Sequence, residues 1–295
     1  MISRRIPKFS SSSVVKASGA ASIIGNQVIS MDELRHKVPS IFARSKHDSR
    51  SEQYSHISTG DVLERLQREG YQPFSAMQGG SRIAGKSAFT KHLIRLRHVS
   101  RMNEVAGSNS EIILMNSHDG TCSYRLMAGM FRTVCHNGTI VADSVLEDIR
   151  LAHKGDLSDL VMEASGSMLE GLPRMEETVK EMASIPMSHR QRLDLAAEAA
   201  ELRFSGRKDV RISPIALVQP FRAEEDANTL WGTLNILQER LIRGKTIYKL
   251  IDEKNGVQRE RTQVLRPINN IDQAVDINRK LWSLAEAVRA SSISG

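Results

Sequence analysis

The pattern of hydrophobic and polar residues changes near residue 144. Before that point, short segments alternate or run apolar as strands do, and Asp119-Gly120 and Asn137-Gly138 are strong turn signals between them. We therefore predict an antiparallel β-meander over about residues 88–141, with Asn137-Gly138 as a two-residue turn.

After residue 144, apolar residues recur at helical spacing instead. Pro186 interrupts this pattern, and Ser188 is placed to cap the helix that follows it and that ends near Phe204. An earlier short helix is predicted after Ser58, which is followed by an apolar stripe. The predicted helices cover about residues 62–68, 156–168, 170–184, 188–204 and 225–243, with a last one from about residue 270.

These elements predict an α+β fold, in which an antiparallel β-meander has helices packed on one face and precedes a mostly helical C-terminal half. We expect one domain over residues 40–290, with the meander core at 60–150 and the helical part at 151–290. Residues 1–35 are predicted to be a disordered basic arm, because they are rich in serine and contain no acidic residue before Asp32.

A basic segment lies within the predicted meander. No acidic residue occurs between Gly70 and Asn103, and Lys91, Arg95 and Arg97 fall on one face of the strand predicted there. A basic face without carboxylates suits a polyanion; the alternative is a solvated edge strand that is kept charged. The residues predicted to bind nucleic acid are Arg82, Lys86, Lys91, Arg95, Arg97, Arg101, Arg125 and Arg132.

Charge is segregated along the whole chain. Residues 143–203 contain thirteen acidic and seven basic residues, a net charge of −6, whereas the chain carries +7, so the remainder carries +13. This distribution favours a phosphate-rich partner. Two cysteines indicate a reducing compartment, and without an apolar run of about 18 residues we expect no membrane partner.

The segment Gly80–Ser87 matches the P-loop pattern G-x-x-x-x-G-K-[ST]. A P-loop needs a buried strand before it and a helix after it. Residues 72–78 contain a proline and no Val/Ile run, and the segment after Ser87 alternates with period two. We therefore interpret the match as a glycine-rich hairpin loop with Lys86 at its tip, and keep an ATP-dependent enzyme as a weaker alternative.

Metal and nucleophile chemistry have little support. His118, Cys122, Cys135 and His136 are of the types that bind zinc. However, the first two flank a tight turn, and the last two point to opposite faces of one predicted strand. A catalytic pair of Cys135 with a histidine would have no third group to orient it. We predict no catalytic residue, no metal and no cofactor.

A set of short motifs extends over about residues 40–290. The motifs are Phe42-Ala-Arg44, Ser49-Arg-Ser-Glu-Gln-Tyr54, Ile57-Ser-Thr59, Gly70-Tyr-Gln-Pro73, Lys91-His-Leu-Ile-Arg-Leu-Arg97, Asn116-Ser-His-Asp-Gly120, Arg132-Thr-Val-Cys-His-Asn-Gly138, Asn228-Thr-Leu-Trp231, Asn235-Ile-Leu-Gln-Glu239, Arg243-Gly244 and Asn278-Arg-Lys-Leu-Trp282. In this order they resemble the phage- and plasmid-encoded family catalogued as domain of unknown function 932. The resemblance implies a bacterial mobile element, hence a cytoplasmic and nucleoid-associated protein. The predicted core is similar, by analogy of fold, to that of ring-forming single-strand annealing proteins.

The leading hypothesis is therefore a non-catalytic protein of a mobile element that binds nucleic acid. We expect it to bind and anneal single-stranded DNA in recombination, with duplex DNA as a further partner, and to form a homo-oligomeric ring or filament. The alternative is an anti-restriction or anti-defence protein whose basic face binds a host protein. Because aromatic residues make up only 4 % of the chain, bases would have few rings to stack on.

Overall fold

The computed structural model describes residues 21–293 except residues 26, 51–55, 84, 133–137, 141–148, 152–157, 224–227 and 255–256. Its fold is α+β, as predicted. The strands are β1 Ala21–Ile24, β2 Tyr71–Gln78, β3 His92–His98, β4 Ser108–Asn116, β5 Tyr124–Arg132, β6 Gly138–Ile140, β7 Ile149–Leu151, β8 Val210–Ile212, β9 Ile247–Lys254 and β10 Val257–Val264. The helices are α1 Met31–Lys37, α2 Thr59–Arg68, α3 Ser158–Ser184, α4 His189–Phe204, α5 Pro214–Leu217, α6 Leu230–Arg243 and α7 Ile271–Ile293.

The contacts divide the chain into two compact units. The first comprises Met1–Leu96, Leu114–Tyr124 and Leu151–Ser158, and the second comprises Arg97–Ile113, Arg125–Arg150 and Asp159–Gly295. The single domain expected over residues 40–290 stays a prediction.

The larger sheet is a meander in which β1 to β6 are neighbours in chain order, and β7 also pairs with β5. β1 pairs antiparallel with β2, from Ala21 opposite Gln78 to Ile24 opposite Ser75. Part of the predicted arm therefore belongs to the fold, because β1 and α1 begin before residue 35. Residues 1–20 of that arm lie outside the described residues.

Strand β2 contradicts the expectation that the segment before the glycine-rich loop is not a strand. Its residues are mostly buried although it contains Pro73. The ladder between β2 and β1 ends at Ser75, so it requires no amide proton from Pro73. The Pro73 carbonyl oxygen accepts instead from the Ile29 amide at 2.8 Å.

The predicted turn at Asn137-Gly138 is only partly described. Asn137 lies outside the described residues, and Gly138 is the first residue of β6, opposite Phe131. The prediction that Gly138 is the second residue of a two-residue turn is therefore wrong, because Gly138 already pairs with Phe131 in the ladder.

The helix starts follow the capping signals in the sequence. The Ser58 side chain accepts from the Asp61 amide at the start of α2. Ser188 forms a capping box with Gln191 at the start of α4, which ends at Phe204 as predicted. The segments predicted at 156–168 and 170–184 belong, in their described residues, to one continuous helix, α3, with Pro173 inside it.

In the second unit, α3, α4, α6 and α7 enclose a core that contains Leu172, Leu237 and Leu281. The rings of Trp231 and Trp282 meet edge to face with centroids 6.4 Å apart, so both tryptophans lie in the core as their apolar stripes predicted.

A second sheet in the C-terminal half was not predicted. Its strand order is β10-β9-β8, with β9 antiparallel to both neighbours. The described residues of β10, 259–264, are all exposed, so this strand carries no apolar alternation that a sequence pattern could reveal.

Candidate functional site

Two basic residues, one in the predicted strand and one just after it, are paired with carboxylates. Arg97 donates to Glu111 on the neighbouring strand β4 at 2.7 Å, and the Glu111 side chain is fully buried. Arg101 pairs with Glu176 of α3 at 3.1 Å, and the Ser110 hydroxyl donates to the same carboxylate at 2.6 Å. The expectation of a basic face without carboxylates is therefore wrong for Arg97, because Glu111 lies outside the stretch without acidic residues and reaches it from the neighbouring strand.

The other predicted residues occupy different environments. Arg95 is only 8 % exposed, and Lys91 is half-buried. Arg82 is exposed in the loop between β2 and β3. Arg125 and Arg132, at opposite ends of β5, are half-buried. The eight residues predicted to bind nucleic acid thus do not form one exposed face.

Lys86 does not project freely from the tip of its loop. Its Nζ lies 3.2 Å from Asp119 Oδ2, and the Asp119 side chain is only 4 % exposed. Burial alone would raise the pKa of Asp119, but hydrogen bonds from Thr121 and the charge of Lys86 hold that pKa below its usual value. Lys86 is therefore a partner for a buried carboxylate.

The loop that matches the P-loop pattern joins two neighbouring strands of the meander, as a hairpin loop does. A 3-10 helix of four residues, Lys86–Phe89, follows Gly85, and β3 comes next. No α-helix begins at the described residues of this loop, whereas a P-loop binds phosphate at the start of one. Gly85 has φ of 77°, which explains the glycine at that position.

A buried polar cluster, defined as Thr59, His92, Asn116 and His118, lies in the first unit. All four residues are inaccessible to solvent. The Thr59 hydroxyl lies 3.0 Å from His92 Nε2, 2.9 Å from Asn116 Nδ2 and 3.4 Å from His118 Nε2. One hydroxyl therefore joins α2, β3, β4 and the loop after β4.

Hydrogen-bond geometry assigns the proton positions in this cluster. His92 Nδ1 lies 3.1 Å from the Thr90 carbonyl oxygen, which can only accept, so Nδ1 carries the proton. His92 Nε2 must then accept the proton of the Thr59 hydroxyl. The hydroxyl oxygen accepts in turn from Asn116 Nδ2 and from His118 Nε2, which therefore carries a proton.

Burial lowers the pKa of His92 from 6.5 to about 4, so its imidazole is neutral at pH 7. A threonine next to a neutral histidine could form a nucleophile and base pair. Here neither group reaches solvent, so no substrate can approach the Thr59 oxygen. We conclude that the cluster fixes the conformation of the loops around it.

These loops carry several of the sequence motifs. The His47 amide donates to the His118 carbonyl at 2.9 Å, and the His118 amide donates to the Phe89 carbonyl at 3.0 Å. The Arg50 side chain covers Gly120, so closely that a Cβ there would lie 2.7 Å from Arg50 Cδ. The motifs around residues 50, 59, 92 and 118 thus meet in one place, which their spacing in the sequence could not reveal.

The proposed zinc ligands are only partly described, because Cys135 and His136 lie outside the described residues. His118 contributes to the buried cluster, and Cys122 Sγ donates to the Ser123 carbonyl oxygen. Within the described ranges, no three His, Cys, Asp or Glu side chains are arranged to hold a metal ion.

A basic groove of about 770 Å³ lies in the second unit. Four cationic side chains line it, together with the carboxylates Asp272 and Asp276 and an apolar part that includes Leu202 and Leu284. Of the predicted residues it contains only Arg125, and sequence reasoning missed the others because they lie on β7 and α7, far apart in the chain. The four cations are Arg125, Arg150, Arg279 and Lys280.

Among the described helices, none combines the length and apolar character that crossing a membrane requires.

Comparison with known proteins gives a family without a stated activity. The model of the family described as "Domain of unknown function (DUF932)" matches residues 46–282. Two proteins of Escherichia coli (strain K12), "UPF0380 protein YafZ" and "UPF0380 protein YfjQ", are each 39 % identical over 272 residues, which is 92 % of this chain and 95 % of each relative. No solved structure matches significantly.

Proposed function

This chain belongs to the family described as domain of unknown function 932, and we propose that it binds single-stranded DNA without catalysing a reaction on it. The process it serves is strand annealing in the recombination of a mobile genetic element, and the protein acts in the cytoplasm, associated with the nucleoid. The observation that carries this proposal is the basic groove of the second unit.

The charges of the groove suit a phosphodiester backbone. Four cations face two carboxylates. One of these carboxylates, Asp276, pairs with Lys280 at 2.8 Å, but both side chains are more than half exposed. Exposed pairs of this kind contribute about 0–1 kcal/mol, so a phosphate can compete for Lys280.

The apolar part of the groove suits nucleobases. Leu202, Val275, Leu284 and Ala287 are the apolar residues lining it. No aromatic ring occurs among the described residues that line the groove, so bases would lie on aliphatic surface and against guanidinium planes. Such contacts do not distinguish bases, which is the behaviour that an annealing protein needs.

The ion pairs of Arg97 and Arg101 explain why we place the phosphates in the groove. Glu111 and Glu176 hold Arg97 and Arg101. Removing either arginine from its carboxylate would leave a buried negative charge, so phosphate contacts at these residues would cost stability.

Binding of a fluorescent oligo-dT at increasing salt tests the proposal. With about four phosphates in contact, the logarithm of the affinity should fall with the logarithm of salt concentration at a slope of about −3. The triple variant R125Q/R150Q/R279Q should bind at least tenfold more weakly and show a shallower slope. Binding that is flat with salt, or unchanged in this variant, would contradict the proposal.

Arg190→Gln provides the matched control, because Arg190 is an exposed arginine of α4 outside the groove. It should leave the affinity within about twofold of the wild type, since a surface change alters little. An equal loss in this control would mean that net charge, and not the groove, determines binding.

Annealing has its own readouts. The protein should accelerate pairing of complementary strands, and light scattering should show an assembly larger than a monomer when oligo-dT is bound. A protein that binds oligo-dT as a monomer and does not accelerate pairing would contradict annealing while leaving single-strand binding in place.

A further inference from the structure

The hairpin of β9 and β10 is exposed in an unusual way. Side chains alternate between the two faces of a strand, yet every described residue of β10 is exposed, so neither face of this strand is covered. The register pairs Ile247 with Val264 and Asp252 with Arg259. β9 is less exposed, because it also pairs with β8, and Tyr248 and Leu250 are half-buried. The Tyr248 ring lies 5.7 Å from that of Phe204 on α4, so β9 attaches the ribbon to the helical part while β10 stays exposed.

Ion pairs connect the strands of the ribbon on both faces. On one face, Glu260 accepts from Lys249 at 2.5 Å and lies 3.8 Å from Arg211 of β8. On the other face, Arg261 lies 3.5 Å from Asp252. All of these side chains are at least 36 % exposed, so each pair is weak and can be exchanged for another anion.

One face of β10 carries three side chains in a row that can bind phosphates and base edges. Arg259, Arg261 and Gln263 occupy alternate positions and therefore share a face. Neighbours on one face of a strand lie about 6.8 Å apart. This spacing matches the axial rise of about 6.8 Å over two base pairs along one strand of duplex DNA.

We propose that the β9–β10 ribbon is a second nucleic-acid site, which binds duplex DNA through Arg259, Arg261 and Gln263. The major groove of B-form DNA is wide enough to admit a two-stranded ribbon. Arginine can donate two hydrogen bonds to guanine, and glutamine pairs with adenine. The ribbon shares no residue with the basic groove, so this site goes beyond the single-strand binding proposed above.

The charge of the small sheet supports this partner. Arg211, Lys249, Arg259 and Arg261 outnumber Asp252 and Glu260 among its described charged side chains, which gives a net charge of +2. A polyanion is therefore attracted to this sheet.

The order of charges along β10 disfavours two of the registers in which a second copy of this chain could pair with it. In a twofold antiparallel pairing, the central residue of the strand lies opposite itself. If Glu260 is the central residue, the two copies of Glu260 lie opposite each other, and Arg259 of each copy lies opposite Arg261 of the other. If Arg261 is the central residue, its two copies lie opposite each other. Like charges directly opposite destabilise a pair of strands.

The test compares a 30-base-pair duplex with oligo-dT on the wild type, on R259Q/R261Q and on K249Q. The variant R259Q/R261Q should bind the duplex at least tenfold more weakly and bind oligo-dT as the wild type does. Lys249→Gln removes one cation from the opposite face of the same ribbon and should weaken duplex binding less than threefold. A thermal melt like that of the wild type checks that each variant is folded.

Three results would overturn the ribbon site: no duplex binding by the wild type, an equal loss of duplex affinity in K249Q, or an unchanged duplex affinity in R259Q/R261Q. None of them bears on the basic groove, which the R125Q/R150Q/R279Q variant and oligo-dT test separately. Loss of oligo-dT binding in R259Q/R261Q would also contradict a site for duplex DNA.

Discussion

The protonation of a single residue, His92, links the buried cluster to the stability of the first unit. Its Nδ1 proton goes to a carbonyl oxygen, and its Nε2 accepts from Thr59, so a second proton has no acceptor. The free energy of unfolding must therefore depend on whether His92 stays neutral.

We expect acid to destabilise the protein through His92. Burial lowers its pKa from 6.5 to about 4, so the unfolded chain binds the extra proton first. The stabilisation is fully present above pH 6.5 and is lost as the pH falls from 6.5 to 4, by about 3 kcal/mol in total, since each pKa unit corresponds to about 1.4 kcal/mol. Urea denaturation between pH 7.5 and 4 measures this loss.

His92→Gln is the control, because glutamine does not titrate in this range. The variant should be less stable at pH 7 but should lose less stability between pH 6.5 and 4 than the wild type. Parallel curves for the two proteins would show that His92 does not carry the effect.

At Lys86 we expect an effect on stability and none on ATP turnover. Lys86→Ala leaves the buried Asp119 carboxylate without its cation, which should cost about 1–3 kcal/mol. Arg82→Ala, an exposed cation of the same loop, should change stability by less than about 0.5 kcal/mol. Chemical denaturation measures both values.

An ATPase assay on the same proteins decides the enzymatic alternative. The wild type and Lys86→Ala should both show no hydrolysis, because the loop is followed by a four-residue 3-10 helix and then a strand, and not by an α-helix. Hydrolysis by the wild type that disappears in Lys86→Ala would support the nucleotide-binding interpretation of Gly80–Ser87.

At the scale of elements, the junction of α6 and β9 depends on a close approach of two backbone segments. Gly244, the residue after α6, has φ of 74°, and a Cβ there would approach the Leu265 carbonyl oxygen within 2.2 Å. The Lys245 amide donates to that same oxygen at 2.8 Å, which holds the two segments together.

Gly244→Ala should therefore destabilise the protein by about 1–3 kcal/mol or more. Alanine is strained at this φ angle, and its Cβ would clash with the Leu265 carbonyl oxygen. Gly166→Ala is the matched control. Gly166 lies in the exposed interior of α3 with nothing near its Cβ position, so alanine should stabilise by about 0.5–1 kcal/mol. Thermal melts compare the two variants, and equal shifts would contradict the role of the contact.

At the same scale, the sequence predicted elements where a local signal existed. Ser188 marked the start of α4, and the tryptophans marked core stripes on α6 and α7. β2 and the small sheet were missed for opposite reasons. Tyr71–Gln78 lacks β-branched residues although it is mostly buried, and β10 has exposed residues on both faces.

At the scale of the whole molecule, the sequence shows that charge is segregated along the chain. It does not show which carboxylates pair with which cations. The stretch between Gly70 and Asn103, which has no acidic residue, contains several cations close together in the chain. Glu111 and Glu176, which neutralise two of them, follow later in the chain. Only tertiary contacts bring such pairs together, and the same holds for the residues that line the basic groove. The cations of the candidate site therefore lie on β5, β7 and α7, and not on β3 as the sequence predicted.

The order Arg259-Glu260-Arg261 along the edge strand also affects how the protein behaves at high concentration. An uncovered edge strand is ordinarily a place where chains aggregate, since its free amides and carbonyls can pair with any similar strand. Here the registers centred on Glu260 or Arg261 place like charges opposite each other, so these two ways of pairing between copies are disfavoured. This charge order lets β10 stay exposed, as the proposed duplex-DNA site requires, with two of its self-pairing registers disfavoured.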